Sequence, residues 1–390
     1  MVSSSWVDRA SWALTSFALG WGCVVPLSSP KATAGPGQND GGMITGSSGS
    51  PTAGPIPGSW TNVTSNLANM ASQCGNVQGV FEKPEANGGD VVIAGIALDG
   101  LWSSANGGGT WQQLGTASPA AITNRPMSLV VDPMNAGTFW ESGLYNGGGV
   151  YRSDDDGATF TPLGDITGCD LVSVDFSDPM RQTLVAGGHE QAQKVRRSID
   201  RGMTWSDIVQ GLPTDVFCSY PLVIDANTYL VGCYAGTASG DGVYRTTDGG
   251  MHWTQITMMG GGSAPLWASD GTIYWANADS NGMVFSTDKG QTWKDLGVRN
   301  NVISSVHPIE LPNGHLATIG PEFSNQSVVV SADHGATWRS VTPLLPYRAV
   351  GVVYSAQQKA FFIWYFTCAT STDPVPADGI MRFNFDYAAK

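Results

Sequence analysis

Charge is what this 390-residue chain has least of: Asp, Glu, Lys and Arg make up 13% of it, about half the usual share in globular proteins. Long surface helices are built from Lys-, Glu- and Arg-rich stretches, so this scarcity argues against a mainly helical architecture. Positive charge is scarcer still. With 19 Lys and Arg against 32 Asp and Glu, the formal charge is −13, which opposes binding to phosphate backbones or anionic lipid surfaces. No nucleic-acid partner is expected. Cysteine is sparse as well, and the six present contain no CxxC pair and no zinc-ligand spacing, which excludes a thiol-held metal. Nothing else in the chain calls for a cofactor.

Glycine and tryptophan are plentiful, at 50 and 14 residues. That pairing describes a turn-dense, nearly all-β chain with large apolar anchors. At the amino terminus Arg9 precedes an apolar run from Trp12 to Leu27 and the small-x-small triplet Ala32-Thr33-Ala34. The order predicts an export leader over residues 1–34, with an uncleaved membrane anchor or lipidation at Cys23 as the alternatives. A Gly/Pro/Ser-rich linker follows over 35–58, and the folded part is expected over 59–390. The expected location is therefore outside the cytoplasm, secreted or at the cell surface or periplasm, and the expected state is a monomer. Cys218 and Cys233 flank the turn Asp225-Ala226-Asn227 at nearly equal distances, which predicts facing strand positions and a disulfide.

One pattern recurs six times: Ser/Thr, x, Asp, x, Gly, x, Thr, Trp. It reads Ser104-Asn106-Gly108-Thr110-Trp111, Ser153-Asp155-Gly157-Thr159-Phe160 and Ser198-Asp200-Gly202-Thr204-Trp205 in the first half. Thr246-Asp248-Gly250-His252-Trp253, Ser286-Asp288-Gly290-Thr292-Trp293 and Ser331-Asp333-Gly335-Thr337-Trp338 complete the set. The terminal aromatics recur every 40 to 49 residues, the length of one four-stranded propeller blade. A short acid accepts backbone N–H bonds in a turn, glycine supplies positive φ, and the Thr and Trp start an outer strand. The five aspartates, and Asn106 at the same place in the first motif, are therefore read as structural.

Six turns give six blades, and the remainder supplies a seventh. Three strand-like runs, Ala349 to Ser355, Ala360 to Thr367 and Ile380 to Asp386, follow the last turn without an outer strand. Ser59-Trp60-Thr61-Asn62-Val63 looks like an outer strand lacking a blade. Pairing it beside the Ile380 run would close the ring and remove two exposed sheet edges. The predicted fold is an all-β, seven-bladed β-propeller.

The six motifs resemble those of the Asp-box (BNR-repeat) propeller superfamily, which includes sialidases, xyloglucan-cleaving glycoside hydrolases, sortilin-type receptors and a photosystem II assembly factor. The resemblance implies that the turns lie on one face and that the functional site lies on the other, among loops joining second to third strands and successive blades. On that face fall Asp99, Arg125, Glu141, Tyr145, Asp170, His189, Glu190, Asp241, Glu322, Tyr347 and Arg348. Hydrolysis of a glycosidic bond needs two carboxylates, for which Asp99, Glu141, Glu190 and Glu322 are candidates. A lyase would use His189 or Tyr145 as base and Arg125 or Arg348 to hold a uronate. Catalytic roles are assigned to Asp99, Glu141, His189 and Glu190, and substrate binding to Arg125, Tyr145, Glu322, Tyr347 and Arg348. Asp99 occupies a place similar to the catalytic Asp of the xyloglucan-cleaving enzymes, which use two propellers. Arg125-Pro126 is only an echo of the sialidase Arg-Ile-Pro motif, so a typical sialidase is not expected. The expectation is a carbohydrate-active propeller acting on a polysaccharide or oligosaccharide. The alternative is a non-catalytic module binding glycan or protein, or an assembly factor.

Overall fold

The computed structural model describes residues 56–118, 121–234, 240–277, 282–297, 306–320 and 325–387. The predicted leader, most of the linker and Glu322 lie outside the described residues. Seven four-stranded antiparallel sheets make up the propeller. Blade 1 contains Val77–Pro84, Asp90–Ile96, Gly100–Ser104 and Gln112–Gln113. Blade 2 contains Arg125–Asp132, Asn135–Leu144, Val150–Ser153 and Thr161–Pro162. Blades 3 to 6 repeat the order, each running in sequence from its inner to its outer strand.

Blade 7 breaks that rule as anticipated. Gly351–Ser355, Ala360–Trp364 and Ile380–Asn384 supply its first three strands. Thr61–Asn62 supplies the fourth, with Thr61 opposite Arg382 and Asn62 opposite Met381. The Trp60 ring packs 5.4 Å from that of Phe383. A further closure was not legible in the chain: Cys74, just before blade 1, is bonded to Cys368 of blade 7 across 294 residues. The expected Cys218–Cys233 disulfide is present, its two residues direct partners on neighbouring strands of blade 4.

Strands that alternate side chains between two faces, both covered, must be apolar on both. The buried side chains accordingly fall into seven clusters, one in each gap between consecutive blades. Ile93, Leu101, Phe139, Tyr151 and Phe160, for example, fill the gap between blades 1 and 2. Val63, Leu67, Val92, Phe362 and Ile380 fill the one where the ring closes. The tryptophans outside the turns belong mostly to this packing: Trp140, Trp275 and Trp364 are buried, whereas Trp267 is exposed.

Each recurrent turn is a closed hydrogen-bond ring. In the third, Ser198 Oγ donates to Asp200 Oδ1, and the Gly202 N–H donates to Ser198 Oγ. The Thr204 N–H and hydroxyl donate to the two Asp200 carboxylate oxygens. The first turn has Asn106, whose amide donates to Thr110 Oγ1, reversing the last bond. Some of the closing tryptophans reach across to the preceding blade, Trp253 Nε1 donating to the Ile208 carbonyl and Trp205 Nε1 to that of Leu163, whereas Trp338 Nε1 donates to Gly335 of its own turn. These aspartates are thus used entirely within their turns.

Candidate functional site

In blades 1 to 6 the recurrent turn joins the third and outer strands, so the turn joining the first and second strands shares its end of the propeller. The loop after each second strand, and the link into each new first strand, come out at the other end. Five side chains meet there, on blades 2 and 3. Arg125 opens the first strand of blade 2, and Tyr145 follows its second strand. Asp170 lies in the first strand of blade 3, and His189 and Glu190 follow its second.

Asp170 is buried and anchors the group. Its Oδ1 lies 2.9 Å from His189 Nδ1. A carboxylate at Nδ1 holds the proton there and leaves the Nε2 lone pair outward. Nε2 in turn lies 2.9 Å from the Tyr145 hydroxyl, whose single proton is shared between Nε2 and Glu190 Oε2, 3.3 Å away. The Arg125 guanidinium lies 4.5 Å from the centre of the Tyr145 ring, within cation–π range. The gradient of exposure follows the chain of contacts: Asp170 is 5% exposed, His189 14% and Glu190 61%.

Backbone conformation places the two outermost members. Tyr145 has φ 59° and Glu190 φ 50°, a left-handed conformation that non-glycine residues seldom adopt and that costs roughly 1–2 kcal/mol each. Extended loops would carry both side chains away from His189. Burial alone would push the His189 imidazolium down, but the Asp170 hydrogen bond and charge, helped by Glu190, outweigh it and the net shift is up. Burial first, then the Glu190 charge, raises the Tyr145 phenol above its ordinary value. Tyr234, ending the second strand of blade 4, joins the surroundings, pushed up to about 12 by burial and by the charges of Asp170 and Glu190. Sequence reading missed Tyr234. The available signal was its position, matching in blade 4 the loop that carries Tyr145 in blade 2.

Glu141, a candidate catalytic carboxylate, is placed differently from these side chains. It lies within the second strand of blade 2, wholly buried, with Asn124 Nδ2 donating to its Oε2 at 3.2 Å. Burial raises its carboxyl to about 8. Asp99 is half-buried in the loop after the second strand of blade 1, and burial raises its carboxyl too. Its neighbour Leu98 donates its N–H to the Asn124 carbonyl, next to Arg125. Tyr347 serves blade 7: its hydroxyl donates to the carbonyls of Ile363 and Gly379, and its ring lies 4.2 Å from that of Tyr365. Arg348 beside it is exposed. Among the described residues no group of three or more His, Cys, Asp or Glu is arranged to hold a metal.

No known protein-family profile matches the chain. It is 28% identical over 256 residues to xyloglucanase Xgh74A of Acetivibrio thermocellus, covering 52% of this chain and 30% of that enzyme. A xyloglucanase of Paenibacillus sp is 27% identical over 231 residues, covering 52% of this chain and 20% of the other. The chain thus spans less than a third of the length of these curated relatives. Among solved structures it is similar to the GH74 enzyme of Niastella koreensis, with TM-score 0.56 and 17% identity over 83% of this chain and 53% of the other. The GH74 xyloglucanase of Xanthomonas campestris gives TM-score 0.54 and 16% identity over 83% and 55%. These likenesses establish the propeller fold.

Proposed function

We propose that this chain is an exported propeller of the Asp-box type that binds and cleaves a polysaccharide in the manner of a glycoside hydrolase. The observation that carries the reading is the convergence of Arg125, Tyr145, His189 and Glu190 at the end of the propeller opposite the recurrent turns. Side chains far apart in sequence make a polar, partly shielded surface there, with an aromatic ring exposed for a sugar to stack upon. Sequence similarity to xyloglucanases supports xyloglucan as substrate. The two disulfides support export, because such bonds persist in oxidising compartments.

In this reading Asp99 is the proton donor, its carboxyl kept protonated longer by burial. Glu190 is the second carboxylate, steered by Tyr145. The test is a panel of xyloglucan and cello-oligosaccharides with reducing-end and binding assays. Wild type is expected to release new reducing ends, and Asp99→Asn to lower kcat by about 10²-fold or more while binding persists. Binding by wild type without turnover would replace catalysis with a glycan-binding role. Failure to bind any glycan would end the reading.

A further inference from the structure

We infer that the Arg125, Tyr145, His189 and Asp170 cluster is an elimination centre for glycans containing 4-linked uronic acids, an activity beyond hydrolysis. The inference rests on the proposed reading only in that this face takes a glycan. Three requirements of the reaction are met by side chains already in contact. A base must remove the proton from C5 of the uronate, an acid must protonate the leaving oxygen, and a cation must offset the charge that builds on the carboxylate.

His189 is the base. Asp170 holds its Nδ1 proton, so Nε2 carries the lone pair. Tyr145 is the acid, its phenol being neutral at ordinary pH. Arg125, stacked on the same ring, is placed to pair with the uronate carboxylate and make C5–H more acidic. The C5 proton passes to His189 Nε2, and its electron pair forms the C4–C5 double bond. The C4–O4 bond breaks, and O4 leaves with the Tyr145 proton. No water, oxidant or metal enters the balance.

The state left behind is an imidazolium beside a phenolate. Their hydrogen bond, 2.9 Å between Tyr145 Oη and His189 Nε2, returns the proton directly and restores both groups. Glu190, whose Oε1 lies 3.8 Å from His189 Nε2, steadies the imidazolium in the interval.

The same short distance sets the substrate's stereochemistry. An acid and a base one hydrogen bond apart reach one face of a sugar ring, so H5 and O4 must lie on that face. Glucuronate and mannuronate meet the condition. Galacturonate and guluronate, with H5 and O4 on opposite faces, do not.

The experiment incubates the full chain with β-1,4-polyglucuronate, polymannuronate, polygalacturonate and xyloglucan, following ultraviolet absorbance of unsaturated uronates and product masses. Unsaturated ends are expected from polyglucuronate or polymannuronate and not from polygalacturonate. Tyr145→Phe is expected to lower kcat by about 10²-fold or more with little change in KM, and Arg125→Gln to raise KM. Rates should climb with pH through the raised His189 transition, in a field set by Asp170, Glu190, Arg125, Tyr145 and Tyr234. Because Tyr145 is exposed, Tyr145→Phe should keep its melting temperature. Binding of the uronate polymers without unsaturated product, or elimination that survives in both Tyr145→Phe and His189→Gln, overturns the inference. Saturated ends from xyloglucan with no elimination overturn it while leaving the hydrolase reading intact. Binding of no polymer in the panel overturns both.

Discussion

Glu141 shows how environment decides what a carboxyl does. The residue sits in a strand with both faces covered, receives one hydrogen bond from Asn124, and is held protonated up to about pH 8. In the unfolded chain it would ionise near pH ~4.3. Its contribution to stability is therefore full below that value and is lost as pH rises towards 8. Glu82, raised to about 7 chiefly by burial, acts with the same sign. The difference between wild type and Glu141→Gln isolates the first effect: the melting temperature of the variant should fall less between pH 5 and pH 9 (assay values, about two units either side of neutral). A parallel course for the two proteins would mean that Glu141 is ionised in place. Asp170, also a buried acidic side chain, instead has an imidazole against it, and that contact makes it part of a site rather than a core residue.

The recurrent turn is the element that repeats, and its energetics are local. In Asp200, Asp288 and Asp333 the carboxyl is lowered to about 2, by hydrogen bonds from the following threonine in Asp200 and Asp333, and by the same bonds against burial in Asp288. Since these groups ionise near ~3.9 when unfolded, the stability they lend is present above that value and is lost as pH falls through about 2. Circular dichroism against pH should show acid unfolding in this window, and replacing Asp200 and Asp333 by Asn should flatten it. The glycine of each turn has two reasons to be glycine. Gly250 has φ +89°, and a Cβ there would come within 2.7 Å of Ile208 in the preceding blade. Gly271 has a similar φ of +86° but open space around it. Gly250→Ala should cost roughly 1–3 kcal/mol in urea unfolding, and Gly271→Ala less. Equal costs would show that the contact between blades contributes nothing.

At the scale of the molecule, a ring of seven similar sheets stays closed only if its two ends are joined. Two devices join them: Thr61–Asn62 completes the sheet begun by the carboxy-terminal strands, and Cys74 is bonded to Cys368. A crosslink across 294 residues limits the unfolded chain far more than the 15-residue one at Cys218–Cys233, about 6 against about 3 kcal/mol on a chain-entropy scale. Cys74→Ser with Cys368→Ser should therefore lower stability more than Cys218→Ser with Cys233→Ser; the reverse order would assign the closure to strand pairing alone. Blade count, turn chemistry and the shared seventh blade were legible in the chain because each rests on contacts a few residues apart, repeated at one period. The Cys218 pairing was legible for the same reason, lying across one hairpin. The partnership of Cys74 with Cys368 and the meeting of Arg125, Tyr145, Asp170 and His189 were not. Those residues carry no local pattern, and their distances exist only once packing between blades brings separate loops to one end of the ring. The burial of Glu141 was not legible for the converse reason: a glutamate near a strand end looks solvated until the next blade is laid over it.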